Sequence, residues 1–254
     1  MSTVQERLVA LRGEMEKRGI DVYVVPTADF HESEYVGAHF MARKYITGFT
    51  GSAGTAVITR EEAGLWTDGR YFVQAEAQLS GSGVTLYRMG EEGVPKVDEF
   101  VEEKLPENGK LGFDGRVVNG DWGEKLVGIA EKKSGSLHMD EDLVDLIWED
   151  RPALSKEPVF LLAEEYSGKS TKEKLKELRE AMEKEGAGYH ILTSLYDIAW
   201  LLNIRGGDIE HVPVVLSYLV LTASECVWFL QEEVVDEKTA AYLADNQITI
   251  RPYD

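Results

Sequence analysis

The segment 65–72 (LWTDGRYF) sets a guanidinium two residues after a carboxylate, between an apolar strand-like run and a helical pattern that opens near Tyr71. Arg70 carries a planar fork of donors that stays charged at any working pH and suits a carboxylate or a carbonyl. In the first turn of a helix it meets partial positive charge, a penalty of about 0.3–1 kcal/mol. A bulky cation there asks for a reason. A second concentration of chemistry is the loop 203–214 (NIRGGDIEHVPV), which gathers Arg205, Asp208, Glu210 and His211 around a glycine pair. Asp208 or Glu210 could orient His211. A solvated connecting loop is the competing reading, because no nucleophile or metal cluster completes a reaction centre.

Other candidates fail specific tests. The glycine-rich stretch 47–54 (TGFTGSAG) lacks both the Gly-Lys-Ser/Thr ending of a phosphate loop and the spacing of a dinucleotide fingerprint, so it reads as a turn feeding a strand over 55–59. His31, Glu32, Glu34 and His39 form no His-Glu-x-x-His, and the acidic residues from Asp29 to Glu34 are expected to cap a short helix. His138 and His190 read as structural. Asp68 and Asp114 sit where strands end, yet two isolated aspartates fall short of the carboxylate cluster a two-metal nuclease needs. The single cysteine, Cys226, lies in the apolar run CVWFL, where a buried thiol is inert; it makes no internal disulfide and suits a reducing compartment. No residue of the chain is assigned as catalytic or as a metal ligand.

The elements that must position these groups follow from composition and periodicity. The 254 residues, 43% hydrophobic, can bury a sizeable core. Lys and Arg total 27 against 46 Asp and Glu, a net charge of −19 that repels nucleic acid and anionic membrane. No apolar run approaches the roughly 20 residues of a membrane span, and the first 19 residues read as an amphipathic helix of mixed charge, not an export signal. The chain also repeats itself. Leu8, Leu11, Arg12, Met15, Glu16, Lys17 and Gly19 recur at an offset of 167 as Leu175, Leu178, Arg179, Met182, Glu183, Lys184 and Gly186. Each helix is followed by a strand-like run (22–25; 189–193), a segment of aromatics and glycines, and a strand pair: 56–59 with Leu65-Trp66, echoed by 219–222 with Val227-Trp228.

This pattern predicts an α/β protein of two tandem related modules, each a mixed sheet flanked by helices. The first, residues 1–152, adds a strand over 110–114 and helices over 120–133 and 141–148. Prolines 152 and 158 bound a linker over 153–158. The second module, 159–254, is shorter and is expected to be cut off at its C-terminal end, with a strand over 248–254 and no closing helix.

Five segments taken together, 49–59 (FTGSAGTAVIT), 65–72 (LWTDGRYF), 143–152 (LVDLIWEDRP), 197–213 (DIAWLLNIRGGDIEHVP) and Ser217-Tyr218, resemble in order the N-terminal half of cytosolic-type Xaa-Pro aminopeptidases, members of the creatinase/prolidase group. The resemblance implies two creatinase-type N-terminal domains of ribonuclease H-like arrangement, followed by a "pita-bread" catalytic domain. That last domain would hold two divalent ions, usually manganese, on two Asp, one His and two Glu. None of it lies within the 254 residues, so no metal ligand of that set maps here. The resemblance further implies a cytoplasmic homodimer acting on peptides with proline second. In it the N-terminal domains serve dimerisation and substrate access, and Arg70 is a substrate contact. Arg205, Asp208 and His211 are expected to line the cleft toward the catalytic domain. The alternative is a stand-alone module of the same fold that binds a peptide or small guanidino compound without catalysis.

Overall fold

The computed structural model describes residues 2–254 and divides into two compact units. The first runs to Glu32 and from His39 to Pro152; the second joins Ser33–Ala38 to Ala153–Asp254.

The first unit opens with α1 (Val4–Arg18), which begins and ends where its sequence dictates. Thr3 and Glu6 close a capping box, and Gly19, at φ 67°, donates its N–H back to the carbonyls of Glu16 and Met15. Leu8, Leu11 and Met15 then lie on one buried face. Next come β1 (Val22–Pro26), α2 (Ala42–Thr47), β2 (Thr55–Thr59), β3 (Ala63–Thr67), α3 (Phe72–Leu79), β4 (Thr85–Arg88), α4 (Val97–Lys104), β5 (Lys110–Phe113), α5 (Gly120–Lys132) and β6 (Ser136–His138). They form one six-stranded sheet in the order β4-β3-β2-β1-β5-β6. Only β2 runs antiparallel to its neighbours; β3–β4, β1–β5 and β5–β6 are parallel. All five residues of β1 are buried, because helices cover both faces of the sheet. Tyr23, Val25, Ile58 and Leu65 meet Leu8, Leu11 and Met15 of α1 and Ala75 and Leu79 of α3. On the other face Val22, Val24, Val57 and Trp66 meet Phe100 and Val101 of α4 and Leu126 and Ile129 of α5.

The second unit contains β7 (Phe160–Leu161), α6 (Glu164–Ser167), α7 (Thr171–Lys184), β8 (Tyr189–Leu192), α8 (Leu195–Leu201), β9 (Ile204–Arg205), β10 (Ser217–Thr222), β11 (Cys226–Leu230), α9 (Glu237–Asp245) and β12 (Thr249–Pro252). Ser170 and Glu173 cap α7 as Thr3 and Glu6 cap α1. The sheet order β12-β11-β10-β8, with β10 antiparallel to both neighbours and β11 parallel to β12, repeats β4-β3-β2-β1 strand for strand. β7 pairs with β9 in a separate ribbon. One apolar cluster serves this sheet, formed by Leu192, Leu219, Leu221, Cys226, Trp228 and Leu230 with residues of α7, α8 and α9. Accordingly β10 and β11 alternate between buried and half-buried positions.

Three sequence expectations change. The helix expected over 141–148 is a single 3₁₀ turn, Asp145–Ile147, where Asp142 Oδ1 accepts from the N–H of Val144 at 2.9 Å. A side chain that bonds its own nearby backbone favours a turn over a continuing helix. The acidic stretch 29–34 folds as a turn, with Asp29 Oδ1 accepting from His31 N at 2.9 Å, and caps no α-helix. The two tryptophans are not counterparts: Thr55 faces Trp66 while Tyr218 faces Phe229, so Leu65 matches Trp228 and Trp66 matches Phe229. A one-residue slip on a strand of period two sends the indoles to opposite faces.

The burial of α1 sets a stability test. Leu11 is fully buried, and Leu11→Ala should cost about 2–5 kcal/mol in urea unfolding. Val73, 85% exposed on α3, should stay within about 0.5 kcal/mol when changed to Ala.

Candidate functional site

At the carboxyl end of β3 the chain turns through Asp68 and Gly69 before α3 begins. Tyr71 is the N-cap of α3, so Arg70 lies just outside the helix, not in its first turn. Tyr71 N donates to Asp68 O at 3.0 Å, closing the turn. Arg70 forks onto Asp68: Nε donates to Oδ1 and Nη2 to Oδ2, both at 2.8 Å, while the backbone N of Arg70 reaches Oδ1 at 3.1 Å. The carboxylate therefore supplies the negative charge that a helix N-terminus favours, and the penalty expected from sequence is offset. Its hydrogen bonds from Arg70 hold the Asp68 carboxyl down at about 2.

A glycine-rich loop runs beside this turn and is held by a cation that sequence reading missed. Arg43, 3% exposed, donates from Nε to Thr27 Oγ1 at 2.9 Å, from Nη1 to Phe49 O at 2.6 Å, and from Nη2 to Gly51 O. Thr27 Oγ1 in turn donates to Gly54 O at 2.8 Å. Burial draws the Arg43 guanidinium down to about 10, still protonated at neutral pH. The loop then grips the residue next to Arg70: Ser52 Oγ lies 2.7 Å from Tyr71 OH, and the Phe49 ring meets that of Tyr71 edge-on at 5.8 Å. Thr50 Oγ1 accepts from Gln74 and Gln78 of α3 at 2.9 and 2.8 Å. Two glycines are there for space. A Cβ at Gly51 would come 2.8 Å from a Tyr71 ring carbon, and one at Gly54 would come 2.8 Å from Trp66 O.

The same turn occurs twice. Asp114, Gly115 and Arg116 follow β5 as Asp68, Gly69 and Arg70 follow β3, and Arg116 forks onto Asp114 with both side-chain bonds at 3.0 Å. The repeated Asp-Gly-Arg was visible in the sequence. Near Asp114, a cavity of about 20 Å³ is lined by Tyr23, Asp114, Asp142 and Arg151 among others, room for about one water. Arg151 Nη1 bonds Asp142 Oδ2 at 2.6 Å and Asp145 Oδ1 at 3.0 Å.

In the second unit the loop residues are engaged separately. Arg205 Nη1 donates to Ala199 O at 3.0 Å and to Ile204 O at 2.7 Å, serving the end of α8. Asp208 is buried, its Oδ2 accepting from Leu216 N at 2.7 Å while its Oδ1 is buried without a hydrogen-bond partner among the described residues; burial raises its pKa, and the bond from Leu216 offsets this in part. His211, at φ 65°, is exposed, with Nε2 3.5 Å from Glu210 Oε1. Among the described residues no hydrogen bond or ion pair joins Arg205, Asp208 and His211 to one another. The Cys226 thiol is buried and pushed up to about 11 by desolvation. Among the described residues no group of three or more His, Cys, Asp or Glu is placed to hold a metal ion, and no helix is long and apolar enough to cross a membrane.

Two mixed sheets repeating one topology, with Asp-Gly-Arg turns at strand ends, define a class that comparison with known proteins identifies. The creatinase/prolidase N-terminal domain model matches residues 7–138, and a second model of that description matches 150–254. The chain belongs to the creatinase/prolidase N-terminal domain family. It is 41% identical over 251 residues to a protein of Colletotrichum graminicola described as "Probable Xaa-Pro aminopeptidase P", and 43% identical over 251 residues to one of the same description from Coprinopsis cinerea. Each alignment takes in 98% of this chain but 40% of the relative, so the chain spans about two fifths of the length of the curated relatives it matches. Among solved structures, the X-prolyl aminopeptidase of Caenorhabditis elegans, described as a cytosolic enzyme with a di-nuclear active site, superposes over the whole chain with a TM-score of 0.93 at 34% identity. The match takes in 43% of that protein.

The Asp68–Arg70 pair gives a pH signature. A carboxyl held at about 2 in the folded protein and 3.8 otherwise stabilises the fold above pH 3.8, and that contribution is lost as pH falls toward 2. NMR titration should find Asp68 near 2, and Arg70→Met should return it to about 4 with the glycine loop unperturbed.

Proposed function

We propose that this chain is the non-catalytic N-terminal region of a cytoplasmic, metal-dependent Xaa-Pro aminopeptidase, an enzyme that removes the residue preceding a proline. The observation that carries the reading is the match over nearly the whole chain to about two fifths of several aminopeptidase P relatives. Hydrolysis belongs to the remainder of such a protein, where two divalent ions, manganese in this reading, would activate the attacking water. The two units then serve dimerisation, limit access to short peptides, and contribute one contact to substrate.

That contact is Arg70. Its side chain is 67% exposed, and Asp68 fixes the orientation of its guanidinium, so little side-chain entropy is lost when a peptide carboxylate or carbonyl accepts from it. Arg43 supports the arrangement from below through the loop that grips Tyr71. The loop bearing Arg205, Asp208 and His211 is assigned to the cleft side of the second unit. Of the three, only His211 presents an exposed imidazole; Asp208 holds the loop's shape through Leu216.

Two measurements test the reading. The purified 254-residue chain should hold no stoichiometric manganese by elemental analysis and cleave no Xaa-Pro peptide, while the longest polypeptide its coding sequence specifies should bind manganese and cleave such peptides. In that longer protein Arg70→Ala should lower kcat/KM about 10- to 100-fold, the worth of one charge-assisted hydrogen bond. Metal content and circular dichroism should stay unchanged. Loss of either in the variant would make Arg70 structural and overturn its assignment.

A further inference from the structure

The glycine-rich loop of the first unit is held from two sides, and only the inner side is enclosed. Arg43 binds it from beneath; on the outside Gln74 and Gln78 of α3 close on Thr50, with Thr50 and Gln78 exposed and Gln74 half-buried. The orientation of both amides follows from one backbone group. Thr50 N–H can only donate, so the atom of Gln78 that meets it at 2.9 Å is the carbonyl oxygen. The Gln78 amino group then falls to Thr50 Oγ1 at 2.8 Å. Gln74 Nε2 donates to the same hydroxyl oxygen at 2.9 Å and to Gln78 Oε1 at 3.4 Å. These bonds commit the amino group of Gln74 to the loop side and leave its Oε1 as an acceptor with no partner among the described residues. The Thr50 hydroxyl, accepting twice, keeps its proton to give. An oriented acceptor and an oriented donor thus stand together, with Gln74 four residues after Arg70. Their surroundings carry little free charge. Val73 and Ala77, the helix neighbours of the two glutamines, are exposed, and Glu76 is drawn off to Arg88 at 3.0 Å.

We propose that Gln74 is a specificity-determining contact whose Oε1 accepts a backbone N–H from the peptide held at Arg70. The inference rests on the reading of Arg70 as a substrate contact. In an extended chain the N–H and C=O of one residue point to the same side. A peptide whose carbonyl or carboxylate accepts from Arg70 therefore presents a neighbouring N–H along the same edge, and Gln74 Oε1 is the acceptor placed one helical turn on to take it. An acceptor beside donors matches a peptide backbone, which offers both kinds of group, and not a lone anion, which offers acceptors alone. Because Thr50 and Gln78 orient the amide before the ligand arrives, little rotamer entropy is lost on binding. The ligand class is a peptide with a free N–H at that position. Proline or an N-methylated residue there removes the donor and sets a carbon against the Gln74 oxygen, and a site built to bond an N–H discriminates against an analogue that lacks it.

An N-methyl scan of the substrate tests this contact. The substrates are the peptide Ala-Pro-Ala-Ala-Ala and its versions methylated singly on the backbone nitrogen of the third, fourth or fifth residue, with the longest polypeptide the coding sequence specifies as the enzyme. At one of these positions methylation should lower kcat/KM about 3- to 10-fold more in the parent protein than in Gln74→Met, the worth of one neutral hydrogen bond. On the unmethylated peptide Gln74→Met should lose a similar factor. Gln74→Glu, which keeps an oxygen facing outward, should retain the penalty of methylation. A purely structural glutamine would lower activity without regard to which nitrogen is methylated. Methylation penalties that are the same in Gln74→Met as in the parent at every position would therefore make Gln74 a clamp on Thr50 and overturn the proposal, while cleavage of the unmethylated peptide leaves the functional reading standing. A protein that fails to cleave even the unmethylated peptide overturns the functional reading, and this contact with it.

Discussion

A sheet with two apolar faces must have both of them covered, and the architecture of the first unit follows from that constraint. Every residue of β1 is buried, so neither face can be left to water. α1 and α3 cover one side and α4 and α5 the other, with Trp66 stacked on Tyr87 at 4.0 Å to widen the second layer. The order of the chain satisfies this economically. β4 finishes at one edge, α4 crosses the sheet while burying its outer face, and β5 arrives beside β1 in a parallel register. Where the same four strands recur, one face is packed and β10 and β11 return to the alternation of a half-covered sheet.

The buried guanidinium of Arg43 is a second constraint, acting at shorter range. A desolvated cation must find acceptors, and here carbonyls and a hydroxyl from two segments supply them. Because those carbonyls belong to Phe49 and Gly51, the demand of one buried charge dictates the path of the glycine loop. Lysine could not substitute, since a single ammonium on a flexible stem lacks the planar fork that reaches Phe49 O, Gly51 O and Thr27 Oγ1 together. The loop's grip on Tyr71 through Ser52 carries that rigidity to the residue adjoining Arg70.

Much of the fold was legible because it is local. Leucine spacing and the offset of 167 gave α1, α7 and the repeat, and strand patterns gave β1, β2, β8 and β10. Misreadings arose where local pattern met tertiary context. Residues 141–148 carry helix-like spacing, yet Leu143 and Val144 are buried in the core of the first unit while Asp142 bonds its own backbone and Arg151. The Trp66 and Trp228 equivalence looked natural as a string and failed by one residue of register. Arg43 left no signal, because nothing in ARKYIT distinguishes a surface arginine from one enclosed by carbonyls. The candidate site was legible only as a string of residue types; Arg70 was found, but the partner that orients it was not assigned.

The recurrence of Asp-Gly-Arg sharpens what can be said of Arg70. Since Asp114 and Arg116 form the same forked pair at another strand end, the pairing is a property of the tripeptide and no sign of function. What separates the two turns is their setting. Asp114 is 9% exposed and Asp68 37%, while the neighbour of Arg70 is clamped by a loop that a buried arginine shapes. Pairing also changes what Arg70 can offer. With its charge largely balanced by Asp68, on a chain carrying −19 overall, long-range attraction of an anionic ligand is weak. Recognition through Arg70 must therefore be short-ranged and directional, resting on oriented donors and not on field strength, which suits selection among peptides already admitted to a cleft.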